Sequence, residues 1–174
     1  MTGQVYLARP SMEFYEAYMS FYNEWKQSKE PIVPWIVEKE PTDFAAYLRY
    51  LQEEESGENL QPGWVTNSTY WLVNEQSQIA GAVNIRHDLT ERLLNTGGHI
   101  GYGVVPSQRR KGYATAILEQ SLQITRELGL NRVLVACDAG NIGSEKTIVK
   151  NGGVFESEFI EEDGNVVKRF WIEL

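Results

Sequence analysis

Residues 99–114, HIGYGVVPSQRRKGYA, carry the reading that decides the fold. They run as an apolar strand, a Pro106-Ser107 turn, the cluster Gln108-Arg109-Arg110-Lys111, and then Gly112 opening an amphipathic helix. Apolar residues recur at Ala114, Ile117, Leu118, Ile124 and Leu128, a spacing that turns one helix face inward. Three cations stand at the start of that helix, where each opposes the positive end of the macrodipole at about 0.3 to 1 kcal/mol when exposed. An anion bound there removes the conflict. First-turn N–H groups without intrahelical partners, a glycine permitting close approach and side-chain cations together suit a phosphate or pyrophosphate.

Working outward, residues 70–74 and 79–86 read as two strands around the polar turn Glu75-Gln76-Ser77-Gln78, a hairpin. Residues 89–94 suit a short helix before Gly97-Gly98 releases the chain into the strand already described. Downstream, residues 132–136 form a β-rich run, and reaching it through a helix favours parallel pairing with the preceding strand. A helix over 142–150 stops at Asn151-Gly152-Gly153, and strands over 154–160 and 166–172 flank a Gly164-Asn165 turn as a closing hairpin. At the other end, residues 5–8 read as a strand, and Pro10-Ser11 as a turn with Ser11 as N-cap. A helix follows with Phe14, Tyr18, Phe21, Tyr22 and Trp25 on one face; a loop holding Pro31, Pro34 and Pro41 leads to a second, with Phe44, Tyr47, Leu48 and Leu51 at helical spacing. These stripes read as core. Trp35 and Trp64 lie in proline- or glycine-flanked loops and are candidates to line an acceptor pocket.

The loop Arg109-Arg110-Lys111-Gly112-Tyr113-Ala114 resembles, residue for residue, the Gln/Arg-x-x-Gly-x-Gly/Ala loop of the GNAT superfamily of acyl-CoA-dependent N-acetyltransferases. In that family the loop follows the fourth strand and binds the pyrophosphate of coenzyme A. The family also carries an Asn just after the next strand, a small residue three positions on and a Gly eleven on; Asn141, Ser144 and Gly152 stand there. The resemblance spans about residues 69–160, and the run from Gly97 to Gly103 is similar to a bacterial branch of predicted acetyltransferases. It implies an α/β fold: a mixed central sheet of about seven strands with flanking helices and one central parallel strand pair, splayed so that pantetheine enters the gap.

For the cofactor, the expected cradle is the backbone N–H groups of residues 110–115, Arg110 to Thr115 through Lys111, Gly112, Tyr113 and Ala114, with Arg109, Arg110 and Lys111 supplying charge. Val104 and Val105 are expected where the strand leaves its neighbour, with amides for pantetheine and, by resemblance, one N–H to polarise the thioester carbonyl. Asn141 suits a pantetheine amide, and Ser144 follows one turn later; either residue serves equally as a helix cap.

Direct transfer needs a neutral amine and a group to protonate the departing thiolate. Many family members place a tyrosine seven residues after the Asn, and here that position is Ile148. Tyr102, Ser144 or water then supply the proton, since a thiol with a pKa of roughly 8.5 leaves fairly well. His87 and His99, both expected at strand ends toward the cleft, are the candidates for base. The catalytic candidates are thus His99 and Tyr102, although strand alternation puts His99, Gly101, Gly103 and Val105 on one face and Ile100, Tyr102 and Val104 on the other. Cys137 reads as a buried structural thiol rather than an acyl carrier.

At 174 residues the chain reads as a single domain over 1–174, able to bury about 70% of its unfolded surface. A net charge of −8 repels nucleic acid and attracts cations, as an amine acceptor requires. No apolar run approaches the roughly 20 residues of a membrane span, and no signal peptide or metal-ligand pattern is present; one cysteine fits a reducing cytoplasm. A Rossmann site fails at Pro106, which replaces the third glycine after Gly101-Tyr102-Gly103, and a P-loop fails at Glu145 within residues 140–147. The reading is an N-acetyltransferase, monomer or homodimer, that moves an acetyl group from acetyl-CoA to a primary amine of a small molecule or protein in a ternary complex. The alternative is an acyl-CoA-binding sensor with little or no catalysis.

Overall fold

The computed structural model describes residues 4–174. The chain runs β1 (Tyr6–Ala8), α1 (Tyr15–Ser28), α2 (Phe44–Ser56), β2 (Asn67–Val73), β3 (Ile79–Arg86), β4 (Ile100–Val104), α3 (Tyr113–Glu127), β5 (Arg132–Asp138), α4 (Ile142–Lys150), β6 (Val154–Ile160) and β7 (Val166–Glu173). Ser11 does not cap through its side chain; a short 3-10 turn over Met12–Phe14 leads into α1 instead. Asp43 caps α2, its Oδ1 accepting the Ala46 N–H at 3.1 Å. The short helix expected over residues 89–94 starts four residues later and ends three residues later, as a π-helical turn over Leu93–Gly97.

The expected single mixed sheet is replaced by two antiparallel sheets, ordered β1-β2-β3-β4 and β5-β7-β6. No parallel ladder joins β4 to β5. Both faces of the first sheet are covered. On one, Tyr70, Leu72, Val83 and Ile85 meet Ile117, Leu118 and Leu122 of α3, and the same cluster extends to Val133, Val135, Phe170 and Ile172 of the second sheet. On the other, Trp71 and Ala82 meet Tyr18, Phe21, Trp25 and Tyr47 of α1 and α2. Trp71 is fully buried and stacks on Tyr18 at 4.4 Å between centroids. Leu128, expected on the buried face of α3, is 43% exposed because the helix ends at Glu127.

Where β4 and β5 meet, His99 joins the sheets: its N–H donates to Leu134 O at 2.8 Å, and its Nδ1 accepts the Leu134 N–H at 2.9 Å. The preceding Gly98 has φ 65°, and a Cβ there would stand 2.6 Å from Leu134 O, so only glycine allows this approach. The imidazole is 5% exposed and meets Trp171 edge-on at 6.4 Å between centroids. Burial, helped by Arg86, draws its pKa down to about 4. The unfolded value is about 6.5, so between these limits the unfolded chain binds more protons than the folded one. The contribution of His99 is therefore full above about pH 6.5 and lost as pH falls toward about 4, on the order of 3 kcal/mol in all. We expect the urea midpoint to fall more steeply from about pH 7 to about pH 4.5 in the wild type than in His99→Gln, which keeps an acceptor for Leu134. Parallel curves for the two proteins would contradict this account.

Candidate active site

Beyond His99 the two strands diverge, and a cleft of about 700 Å³ opens between Tyr102, Gly103 and Val104 of β4 and, opposite them, Asp138 at the end of β5 with Asn141 and Ser144 beyond it. Its third wall is the loop before α3. Gly112 is the N-cap of α3 at φ 80° and offers no side-chain acceptor, and the Ala116 N–H is the first to bond back, to Gly112 O at 3.1 Å. The N–H groups of Tyr113, Ala114 and Thr115 are thus left to the cleft that these residues line. Arg110 also lies at positive φ, 61°, and such alternation forms a concavity suited to an anion.

Arg109 lines the cleft with its guanidinium fixed on three sides. Its Nε donates to Val104 O at 3.1 Å, Nη2 pairs with Glu30 Oε2 at 2.6 Å, and the Trp25 ring lies 5.6 Å away. The guanidinium in turn holds the Glu30 carboxyl below its ordinary pKa. Lys111 turns aside, its Nζ donating to Gln108 Oε1 at 3.1 Å, and does not line the cleft.

Val104 and Val105 part company. Val105 is buried under α1, and its N–H donates to Ala80 O at 3.0 Å, so it has no amide to offer a ligand. Because a strand alternates the direction of its amides, the groups of Tyr102 and Val104 face the open edge of β4. Considering Tyr102 for its side chain alone misses its backbone, although the same alternation finds it.

Tyr102 reaches across the cleft, its Oη 3.1 Å from Ser144 Oγ in the first turn of α4. Burial raises its pKa to about 12, so the phenol keeps its proton at neutral pH. Asn141 caps α4 by accepting the Ser144 N–H at 3.1 Å while still lining the cleft. Ile148 is fully buried in the core. Cys137 is buried, and desolvation lifts its thiol to about 11, which keeps it out of the thiolate form.

The histidines do not face this cleft. The Nδ1 lone pair that His99 would use as a base is taken by Leu134 N–H, and His87 sits with Nε2 2.7 Å from Ser68 Oγ. A second cavity, of about 300 Å³, opens at the start of β4 and is lined by Trp35, Trp64, Asn84, Arg86 and Arg92 among others. The two indoles, expected as acceptor-pocket candidates, meet there at 4.7 Å between centroids. Asn84 and Arg86 escape the sequence reading; two polar side chains two apart in an otherwise apolar strand are the available signal.

A family model for the GNAT acetyltransferase domain matches residues 5–154. A comparison with curated proteins gives no match. Among solved structures, the microcin C7 self-immunity acetyltransferase MccE in complex with acetyl-CoA and AMP superposes with a TM-score of 0.69 at 17% identity, over 98% of this chain and 93% of that one. A dodecameric spermidine N-acetyltransferase from Vibrio cholerae gives 0.67 at 15% identity, over 98% and 94%. At these identities the structures support the fold alone.

Glu30 offsets the charge that Arg109 presents to the cleft, through an ion pair whose side chains are 42% and 45% exposed. Exposed pairs contribute about 0–1 kcal/mol to stability. Glu30→Gln is expected to leave thermal stability nearly unchanged while tightening inorganic pyrophosphate binding about 2- to 5-fold in calorimetric titration. Weaker binding in the variant would mean that Glu30 positions Arg109 rather than competing for it.

Proposed function

This chain belongs to the GNAT acetyltransferase family, and from that premise we propose that it transfers an acetyl group from acetyl-CoA directly to a primary amine, with both substrates bound together. The observation that carries the reading is the open first turn of α3 beside Arg109 and Arg110, at the mouth of a cleft between diverging strands. A pyrophosphate fits this cradle, and a pantetheine arm fits the edge amides of Tyr102 and Val104 as an added strand would. When bound, acetyl-CoA supplies the thioester acyl group.

The chain's own residues then divide the work. The cradle N–H groups with Arg109 and Arg110 hold the phosphates, and Asn141 offers its amide N–H to the arm. An N–H of β4 at Tyr102 or Val104 polarises the acyl carbonyl, a contact of the kind worth about 2.7–4 kcal/mol. The amine nitrogen forms the new C–N bond as the C–S bond breaks, loses its proton to water, and leaves the thiolate to be protonated. The Tyr102 Oη–H, held protonated and oriented by Ser144, donates to that sulfur, and the phenolate regains a proton from water, which has taken up the proton of the amine. His99 has no part in the proton transfer, and Ile148 leaves to Tyr102 the role that a tyrosine fills in many relatives.

Of monomer and homodimer, β6 favours the homodimer: it is the outer strand of its sheet and exposes Val154, Phe155 and Ile160. A cytoplasmic location agrees with a chain in which, among the described residues, no helix is long and apolar enough to cross a membrane.

Calorimetric titration of acetyl-CoA into the wild type is expected to give micromolar binding, abolished in a folded Gly112→Asp, Arg109→Ala double variant. Tyr102→Phe is expected to bind acetyl-CoA normally and to lose about 100-fold in kcat with an amine acceptor. Binding without turnover of any amine would favour the sensor reading; no binding by the folded wild type would exclude both.

A further inference from the structure

The cavity at the start of β4 lies one residue from the cleft along the strand. Asn84 pairs with Gly101 in the ladder, and the guanidinium of Arg86 lies over Gly101, where a Cβ would stand 3.0 Å from Nη1. The next residue, Tyr102, lines the cleft. The loop that supplies Val33 to the cleft supplies Trp35 to the cavity, so one short segment borders both spaces.

Three features of the cavity define what it takes. First, Arg86 is part-buried with one hydrogen bond, from Nη1 to Gly97 O at 3.2 Å. Among the described residues no carboxylate pairs with Arg86 or with Arg92 beside it. Burial and the like charge of Arg92 draw the Arg86 pKa down to about 10, which leaves it charged at neutral pH and without a counter-ion. Second, Asn84 is fully buried, and its Oδ1 has no hydrogen-bond partner. Its amide orientation follows from a chain of bonds. Asn67 Nδ2 donates to Glu54 Oε2 at 2.8 Å, which leaves Asn67 Oδ1 to accept from Asn84 Nδ2 at 2.7 Å and makes Asn84 Oδ1 the unpartnered end of a side chain that lines the cavity. Third, Trp35 and Trp64 form an apolar wall.

An unpartnered acceptor at Asn84 and a cation at Arg86, two residues apart on one strand face and joined by Arg92 in the cavity lining, offer each end of a zwitterion its partner. We propose that this cavity takes the acyl acceptor, and that the acceptor is an amine that also carries an anion at α-amino-acid spacing. Its nitrogen donates to Asn84 Oδ1, its carboxylate lies on Arg86 and Arg92, and its side chain packs on Trp35 and Trp64. The inference rests on the acetyltransferase reading for the identity of the donor. It runs against the net charge of −8, which by itself would favour a cationic amine. The local field decides, because the guanidinium groups stand inside the cavity and the acidic residues that set the net charge lie outside it. A volume of about 300 Å³ is at the small end of ligand cavities and suits a single amino acid.

The test uses the full chain with the common L-amino acids, the carboxamide of each, and spermidine as a cationic amine. Direct binding is read by calorimetry and turnover by thiol release from acetyl-CoA. At least one amino acid is expected to bind and to exceed its carboxamide in kcat/KM by about 10- to 100-fold. In Arg92→Ala, at an exposed site that tolerates truncation, and in Arg86→Gln, that ratio is expected to collapse toward one while acetyl-CoA affinity stays at the wild-type value. Asn84→Leu is expected to abolish acceptor binding. Preference for spermidine or for the carboxamides, a ratio that survives Arg92→Ala, or no amino acid binding at all overturns the proposal while leaving acetyl-CoA binding intact. Failure of acetyl-CoA to bind removes the acetyltransferase reading instead, and the calorimetry of amino acids alone still decides the content of the cavity.

Discussion

The pair of hydrogen bonds between His99 and Leu134 is the constraint on which the rest of the molecule depends. It pins the start of β4 to the middle of β5, and from that point the strands diverge into a cleft rather than continuing as a ladder. A longer parallel ladder would pair the amides of Tyr102 and Val104 and close the space between them. Gly98 makes the joint possible, because any side chain there would collide with the Leu134 carbonyl. The histidine gives up its acid–base chemistry by serving as the joint, since a buried ring whose Nδ1 already accepts a hydrogen bond is a structural group.

One strand therefore serves two spaces. Toward the cleft, β4 turns the Tyr102 phenol and its free edge amides. Toward α1 and α2 it turns glycines, and the room they leave is filled by the Val33 carbonyl over Gly103 and the Arg86 guanidinium over Gly101. The electrostatics of the two spaces differ in kind. In the cleft, Arg109 is partly offset by Glu30 and lies near the exposed surface, so its charge is screened. In the cavity, Arg86 has neither a counter-ion nor full hydration, and its field acts at higher strength on whatever enters.

Much of this is legible in the amino-acid sequence. The 3.6-residue periodicity of α1, α2 and α3, the glycine punctuation at Gly112 and Gly152, and the hairpin turns around Ser77 and Gly164 are local signals, and each element forms within a few residues of its expected place. The loop from Arg109 to Ala114 is legible for the same reason: dipole, glycine and charge all lie within six residues. What is not legible depends on contacts between distant segments. Connectivity favours parallel pairing of β4 with β5, yet it does not say how long strands stay together; Gly98 and the His99 side chain stop the pairing after one step. Val105 is expected in the cleft, but the ladder with β3 claims its amide. Asn84 is hidden for another reason. A buried asparagine in a strand reads as a satisfied core residue unless one knows that Asn67 and Glu54 have fixed which of its ends is left over.

The proposed role of Tyr102 in place of a tyrosine at Ile148 has a geometric rationale. In α4, Ile148 packs beneath the helix in the core cluster, where an added phenol hydroxyl would lack a partner and carry the cost of a buried unsatisfied group. Tyr102 brings a phenol to the same helix from the opposite wall, anchored on Ser144 one turn earlier. The strand that carries it is tied to β3 along one side and to Leu134 at its start. The cost is directional. Tyr102 and Ser144 share one hydrogen bond of 3.1 Å in which either hydroxyl can donate, so under the proposed role the phenol proton is free for a sulfur only in the arrangement where Ser144 is the donor.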